Sequence, residues 1–470
     1  MRIALPKGRL LDEISELLRK AGWGLSGYTA TERLYRLKSR KFPHLRAKVF
    51  HEKDIPVQVA IGNYDLGICG LDWVEELQAK YHSSALVKVR SLGCGMGQLY
   101  MAASQVQGVT TAEELRLQSG VVRIASEYPN LAESFALDLR LRRFSIFPLW
   151  GAAEVYPPES ADMVLIAGKS EEEINSYGLV PVSSILGFSA HLIANKDSWE
   201  TTDMSDLLDS IQRETADSKI VTPPVSITSK RSGKDSAVGM SEDTIRLALP
   251  DGHQQEPTVA LLTRAGIQVD DYPSETGNRR PTTNMTGMAI KVIRPQDMPL
   301  QVANGDFDLA ITGRDWLLEH LYQFPSSPVT EILALNFGWV RIVAVVSKEL
   351  TVDGVDSLRR FGAEGSSSLR VASEYVNIAD KYARDNHLGM YRVIPTWGAT
   401  EAFLPEDADL LIENTQTGST LARHGLKIID TLFESTACLV GQSSSKCSPD
   451  KRKRIDSIIE ALRRAVEENN

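Results

Sequence analysis

Residues 409–421 read DLLIENTQTGSTL, and their types and spacing suit the binding of an anion. The apolar run Leu410-Leu411-Ile412 has the pattern of a short buried strand. It runs into a turn made of Glu413, Asn414, Thr415, Gln416, Thr417, Gly418, Ser419 and Thr420. A strand-to-helix turn of this kind offers backbone N–H groups, hydroxyl donors and a glycine where the chain can approach an anion closely, which together make a phosphate cradle. The same residues also suit an ordinary polar turn with a helix cap. The rest of the chain bears on the choice.

The elements that would position this turn occur twice. RIALPKGRLLDEISELLRKAGW near the start returns as RLALPDGHQQEPTVALLTRAGI from Arg246. PVQVAIGNYDLGICGLDW from Pro56 returns as PLQVANGDFDLAITGRDW from Pro299, and RIASEYPNLA from Arg123 returns as RVASEYVNIA from Arg370. PLWGAAEVYPPESADMVLI from Pro148 returns as PTWGATEAFLPEDADLLIE from Pro395. The offset stays at about 245 residues, so a whole folded module is duplicated. Within each copy, strand-like and helix-like patterns alternate: RIALP is a strand, residues 10–21 have helical periodicity, and residues 64–70 form a buried strand before the helix LDWVEEL. Alternation of this kind predicts parallel α/β sheets with ligands at the carboxyl ends of strands, arranged as two lobes per copy around a cleft. The expected domains are 1–216 (lobe I 1–93 and 180–216, lobe II 94–179) and 244–470 (lobe I 244–336 and 426–470, lobe II 337–425). Residues 217–243, rich in Ser, Lys, Gly and paired prolines, read as a linker.

A chain of 470 residues supports two to four domains, and 42% hydrophobic with 24% charged residues is a globular composition. The net charge of −9 gives no bulk basic field for nucleic acid, so a phosphate ligand would need local cations. Four cysteines without C-x-x-C spacing argue against a zinc or disulfide framework. No secretory leader and no membrane span is expected, which predicts a cytoplasmic protein.

ALPKGRL, the DIP…DLGICGLDW block, ASEYPN and ADLLIENTQTGSTL stand in an order that resembles the ATP phosphoribosyltransferase family, in its short catalytic form, over nearly all of both copies. The resemblance implies a two-lobed fold like the type II periplasmic binding proteins, hence four lobes in this chain. It implies a glycosyltransferase of histidine biosynthesis that condenses ATP with phosphoribosyl pyrophosphate (PRPP), needs Mg²⁺, and works as dimers. A regulatory subunit resembling histidyl-tRNA synthetase is an implied partner. The fused copies would form an internal pseudo-dimer, open to further homo-oligomerisation.

Carried onto this sequence, the family's PRPP turn falls on Glu413 to Thr420, with Thr417, Gly418, Ser419 and Thr420 at the 5′-phosphate. Glu413 stands where Asp is usual and is the one side chain offered to a metal. The matching turn of the first copy reads Ile166 to Glu173, and Glu171, Glu172 and Glu173 replace Gly-Ser-Thr; carboxylates there would repel a phosphate. They serve equally as an acidic helix start. The loss is reversed at the start of each copy. Lys7, Gly8 and Arg9 could meet a triphosphate or departing pyrophosphate, whereas the second copy has Asp251, Gly252 and His253. Arg294 is retained where the first copy has His51. Lys7, Arg9 and Arg294 are therefore the candidate catalytic cations. Lys7, Gly8, Arg9, Arg33, Arg36 and Glu401 are the candidate ATP contacts, and Arg40, Arg279 and Arg280 are further cations, although a surface arginine is more often structural. Glu154 and Glu401 suit either the cleft or a hinge, while Trp150 and Trp397 read as core. The complementary losses predict one composite site per chain. The alternatives are a nucleotide-binding pseudoenzyme that modulates a separate catalytic subunit, and a solute-binding protein of the same fold.

Overall fold

The computed structural model describes all residues except 31–33, 82–84, 108–110, 118–119, 216–242, 365–367, 444–446 and 469–470. Arg33 and nearly all of the expected linker lie outside the described residues.

The chain divides into two compact units that do not coincide with the two copies. One unit comprises Met1–Pro148, Ala161–Asp235 and Thr396–Ala402; the other comprises Leu149–Ser160, Ser236–Pro395 and Phe403–Asn470. Each unit thus contains the WGA-x-E segment of the opposite copy. Sequence comparison could not show this exchange, because each segment aligns with its own copy.

In the first unit, one sheet runs Arg36–Lys38, Arg46–Phe50, Arg2–Pro6, Leu66–Gly70, Ala190–Asn195, Leu86–Ser91. The strands Arg46–Phe50, Arg2–Pro6 and Leu66–Gly70 are parallel, as expected, but Ala190–Asn195 is antiparallel to both its neighbours. The sheets are therefore mixed: the chain leaves to build a second lobe and returns from the opposite direction. The second sheet runs Leu179–Phe188, Gly97–Ser104, Met163–Gly168, Val122–Ser126, Phe144–Pro148. Leu179–Phe188 pairs with Gly97–Ser104 over its whole length, so the return to the first lobe falls after Phe188, not at 180. The second unit repeats both sheets, and Leu426–Ser435 again belongs to the second of them rather than to the first lobe.

RIALP is apolar almost throughout because its strand is central and covered on both faces. Ile3 and Leu5 pack with Leu10, Ile14 and Leu18, whose four-residue spacing gives the helix Leu11–Lys20 its buried stripe. All five are at most 1% exposed, and each such side chain contributes about 1.5–3 kcal/mol of burial energy. The helix Ser205–Thr215 closes this core, with Trp23 Nε1 donating to Ser210 Oγ at 2.9 Å. Among the described residues, no helix is long and apolar enough to cross a membrane.

Candidate functional site

In the second unit, the strand Leu410–Thr415 ends at the turn picked out from sequence. Gly418 adopts left-handed φ (+76°), which a side chain would strain, and its N–H donates to Thr415 Oγ1 at 2.9 Å. Ser419 N–H donates to Thr417 Oγ1 at 3.3 Å, and the Thr417 hydroxyl donates to Ser419 Oγ at 3.1 Å. Gln416 and Thr417 are exposed, as is Ser419, and Gly418 and Thr420 are half-buried. No carboxylate lies between Thr415 and Thr420. Arg423, one turn further on, donates to Thr420 Oγ1 at 3.4 Å. The turn therefore has a local cation that the sequence reading missed. Glu413 Oε1 accepts the Asn414 N–H at 3.0 Å.

The matching turn of the first copy has a different backbone. Ser170, extended at φ −155° and ψ 168°, caps the helix Glu171–Ser176 by accepting from Glu173 N–H. The Glu173 carboxylate folds back, accepting Lys169 N–H at 2.6 Å and the Tyr177 hydroxyl at 3.2 Å. An internal carboxylate thus sits on a turn N–H group that a phosphate would otherwise use. Ser170 also lowers the pKa of Glu172 through a hydrogen bond, so that carboxylate stays charged.

The cations of the first unit have partners that the sequence did not show. Arg9 was expected to face a polyphosphate. Its Nε instead donates to Glu52 at 3.1 Å and its Nη2 donates to Asp72 at 2.6 and 2.8 Å, with the guanidinium over the Phe188 ring at 4.8 Å. Burial disfavours the Arg9 charge, but Asp72 and Glu52 outweigh it and raise its pKa further. The same burial pushes Glu52 up to about 7, with Arg9 pulling it down and Asp72 adding to the rise. Gly70 is required here by space, since a Cβ would collide with the Asp72 carboxylate and the Arg9 guanidinium. Arg9 is thus paired with two carboxylates, Glu52 and Asp72, while its side chain stays 38% exposed.

Lys7 is half-buried beside this network, with its N–H on Phe50 O at 2.8 Å. Burial, then Lys53, Lys7 and Arg9, hold His51 neutral down to about 3. Gly8 is left-handed at φ +85°. Arg36 is exposed on the edge strand Arg36–Lys38, and Arg40 is exposed just beyond it. Glu401 lies in the first unit and accepts the Tyr35 hydroxyl at 3.3 Å. The structure therefore brings Lys7, Arg9, His51 and Lys53 together and gives Glu401 a tyrosine neighbour.

In the second unit, Asp251, standing where the first copy has Lys7, is the counter-ion of two arginines: Arg294 at 3.0 Å and Arg279 at 3.2 Å. Arg279 also meets Glu154 at 2.8 Å. Arg280 and Lys291 grip Glu159 at 3.0 and 2.6 Å, so Arg280 fastens the exchanged segment rather than facing a cleft. Burial pushes Glu159 upward, but Arg280 and Lys291 outweigh it and hold the carboxyl at about 2. The same burial brings Lys291 down to about 8. Asp297 accepts Trp150 N–H at 3.2 Å and the Tyr156 hydroxyl at 3.3 Å. Trp150 and Trp397 are half-buried rather than core. The Trp150 ring tilts against Trp316 at 5.7 Å, and Trp316 stacks on Tyr375 at 4.3 Å.

The profile of the ATP phosphoribosyltransferase family matches this chain in two segments, residues 51–213 and 294–464. An ATP phosphoribosyltransferase of Prosthecochloris aestuarii is 31% identical over 231 residues, which cover 48% of this chain and 73% of the relative. One from Saccharolobus solfataricus is 31% identical over 233 residues, covering 47% and 72%. Among solved structures, the chain is similar to one described as an ATP phosphoribosyl transferase (HisG:HisZ) complex from Thermotoga maritima, at 19% identity and TM-score 0.39, over 46% of this chain and 98% of that one.

Proposed function

The chain belongs to the ATP phosphoribosyltransferase family and is a transferase of the first step of histidine biosynthesis, and from that premise we propose that it condenses ATP with PRPP, using the second copy's turn as the PRPP cradle. One observation carries this reading. The turn Thr415–Thr420 combines a left-handed glycine with four hydroxyl residues, Thr415, Thr417, Ser419 and Thr420, and holds no carboxylate, whereas its twin is occupied by Glu173. The pseudoenzyme alternative is not favoured, because the half of the chain with the intact turn keeps every hydroxyl of the cradle.

The adenine N1 is already a nucleophile, so no side chain need remove a proton from it. A bond forms between N1 and the anomeric carbon as the bond from that carbon to pyrophosphate breaks, and negative charge grows on the leaving oxygens. Positioning and charge stabilisation then supply the catalysis. Arg294 is 42% exposed and shares Asp251 with Arg279, so it can exchange a carboxylate for a phosphate oxygen. Lys7 is proposed as the first copy's contribution, in a division of labour argued from the complementary losses in sequence. Among the described residues, no three or more His, Cys, Asp or Glu side chains gather as around a resident metal. Mg²⁺ carried on the substrate's pyrophosphate would find the Glu413 carboxylate at the start of the turn. Bound there, the ion would neutralise part of the leaving group's charge.

The test is formation of phosphoribosyl-ATP by the purified full chain with ATP, PRPP and Mg²⁺, alone and with a histidyl-tRNA-synthetase-like regulatory subunit added. Thr417→Ala is expected to remove activity, and so is Lys7→Ala. Absence of turnover under both conditions refutes the reading. An unchanged rate in Lys7→Ala refutes only the division of labour.

A further inference from the structure

The cradle of the second copy is joined to the neighbouring lobe by a hydrogen-bonded relay that the first copy lacks. Asp315 opens the helix Arg314–Gln323. Its Oδ1 accepts the Ser435 hydroxyl at 2.7 Å, and its N–H donates to Ser435 Oγ at 2.9 Å. Its Oδ2 accepts the Tyr375 hydroxyl at 2.6 Å. Tyr375 is 1% exposed, and burial raises its pKa well above the usual range, so the phenol keeps its proton. That single proton goes to Asp315, which leaves the phenol oxygen to accept from Asn414 Nδ2 at 2.9 Å. Asn414 also presents its backbone N–H to the Glu413 carboxylate at 3.0 Å. One residue therefore ties the tyrosine on one side and Glu413 on the other, two residues before the exposed part of the turn.

The first copy has the beginning of this relay and loses its end. Tyr128 donates to Asp72 at 2.7 Å, and its ring stacks on Trp73 just as Tyr375 stacks on Trp316. Arg9, however, takes both oxygens of Asp72, and Ala167 stands where Asn414 would be, so no amide reaches the tyrosine. The relay is complete in the copy with the open turn and broken in the copy whose turn is filled.

We infer that Asn414 and Tyr375 are positioning residues for PRPP, holding Glu413 and the end of the strand Leu410–Thr415 in the orientation that receives the ribose phosphate, and anchoring both to Asp315 in the other lobe. This rests on the reading of residues 413–420 as the PRPP cradle. The consequence is selective: losing the relay should weaken PRPP binding and leave ATP binding alone.

The experiment is steady-state kinetics of the full chain, with each substrate varied in turn, for Asn414→Leu, Tyr375→Phe, the double variant and Thr417→Ala. Loss of one such hydrogen bond predicts a KM for PRPP raised about 5- to 10-fold, with kcat and the KM for ATP within about 2-fold of wild type. The double variant should be no worse than the more affected single one, because both break the same chain of bonds. An unchanged PRPP KM in Asn414→Leu overturns the proposal, as do equal rises in both KM values accompanied by a lower melting temperature. Should Tyr375→Phe not fold, Asn414→Leu decides the matter, since that side chain is only half-buried. Thr417→Ala separates the two levels of the argument. If it abolishes turnover or raises the PRPP KM while Asn414→Leu leaves that KM unchanged, the relay fails and the cradle stands; if Thr417→Ala behaves as wild type, the cradle itself fails.

Discussion

The turns at residues 166–173 and 413–420 began as the same piece of chain and now have opposite electrostatics. In one, Gly418 holds a left-handed conformation and the surrounding groups are hydroxyls with Arg423 nearby. In the other, Ser170 starts a regular capped helix and Glu173 satisfies the turn's own N–H. A turn that supplies its own anion is a good helix cap and a poor phosphate site. The loop at the start of each copy diverged the other way, with Asp251 now pairing two arginines where the first copy keeps Lys7. In each case the diverged segment has an internal partner: Glu173 on the Lys169 N–H, and Asp251 between two arginines.

The comparison is broken most directly by writing one turn into the other. Gly418→Glu, which copies Glu171, brings a carboxylate to the phosphate and forces a side chain into left-handed backbone. Loss of at least about 3 kcal/mol of PRPP binding is expected, or more than about 100-fold in kcat/KM. Activity within a few-fold of wild type would mean that the turn does not hold the phosphate. A second variant asks whether Arg9 is structural. Arg9→Ala leaves the buried Asp72 and Glu52 without their cation, and since Arg9 itself is 38% exposed the unfolding free energy from denaturant titration should fall by about 1–2 kcal/mol. A protein of wild-type stability with impaired catalysis would return Arg9 to the substrate.

Smaller effects sharpen the same contrast. Glu159→Gln should lower the melting temperature near neutral pH. Because the carboxyl titrates at about 2 when folded and near 4.5 otherwise, its contribution is present above about 4.5 and is lost as pH falls through 2. The gap in melting temperature between wild type and variant should close across that window, and a gap independent of pH would show that the ion pairs contribute little. Glu172→Ala, at the exposed start of the filled turn, should leave turnover and melting temperature as in wild type. A gain of activity there would mean that the first turn is only weakly closed.

Much of this was legible in the chain itself. The duplication, the strand-helix alternation and the polar turn after the strand all depend on local pattern, and RIALP, the helix after it and residues 409–421 have the expected structure. What escaped was long-range. The partners of Arg9 could not be read beside it, since Asp72 stands more than sixty residues later. Asn414 read only as one polar residue of the turn until Tyr375 and Asp315 supplied its partners. Strand direction was missed for the same reason, since nothing within Ala190–Asn195 records that the chain is coming back. The residues SEY and DW stood in both copies and were noted as repeats, but a tyrosine and an aspartate gain chemical meaning only when folding brings them together.

The exchanged segments have a consequence for how this gene could evolve. A unit that always receives residues 149–160 from the other copy is completed by a neighbour of fixed identity. Two separately encoded, diverging subunits would associate at random, and about half of their pairs would be like with like, carrying two filled turns or two altered loops. Encoding both on one polypeptide enforces a one-to-one ratio at translation. Each half is then free to accumulate changes that would be ruinous in a self-pairing protein, because its completing segment comes from the other half of the same chain.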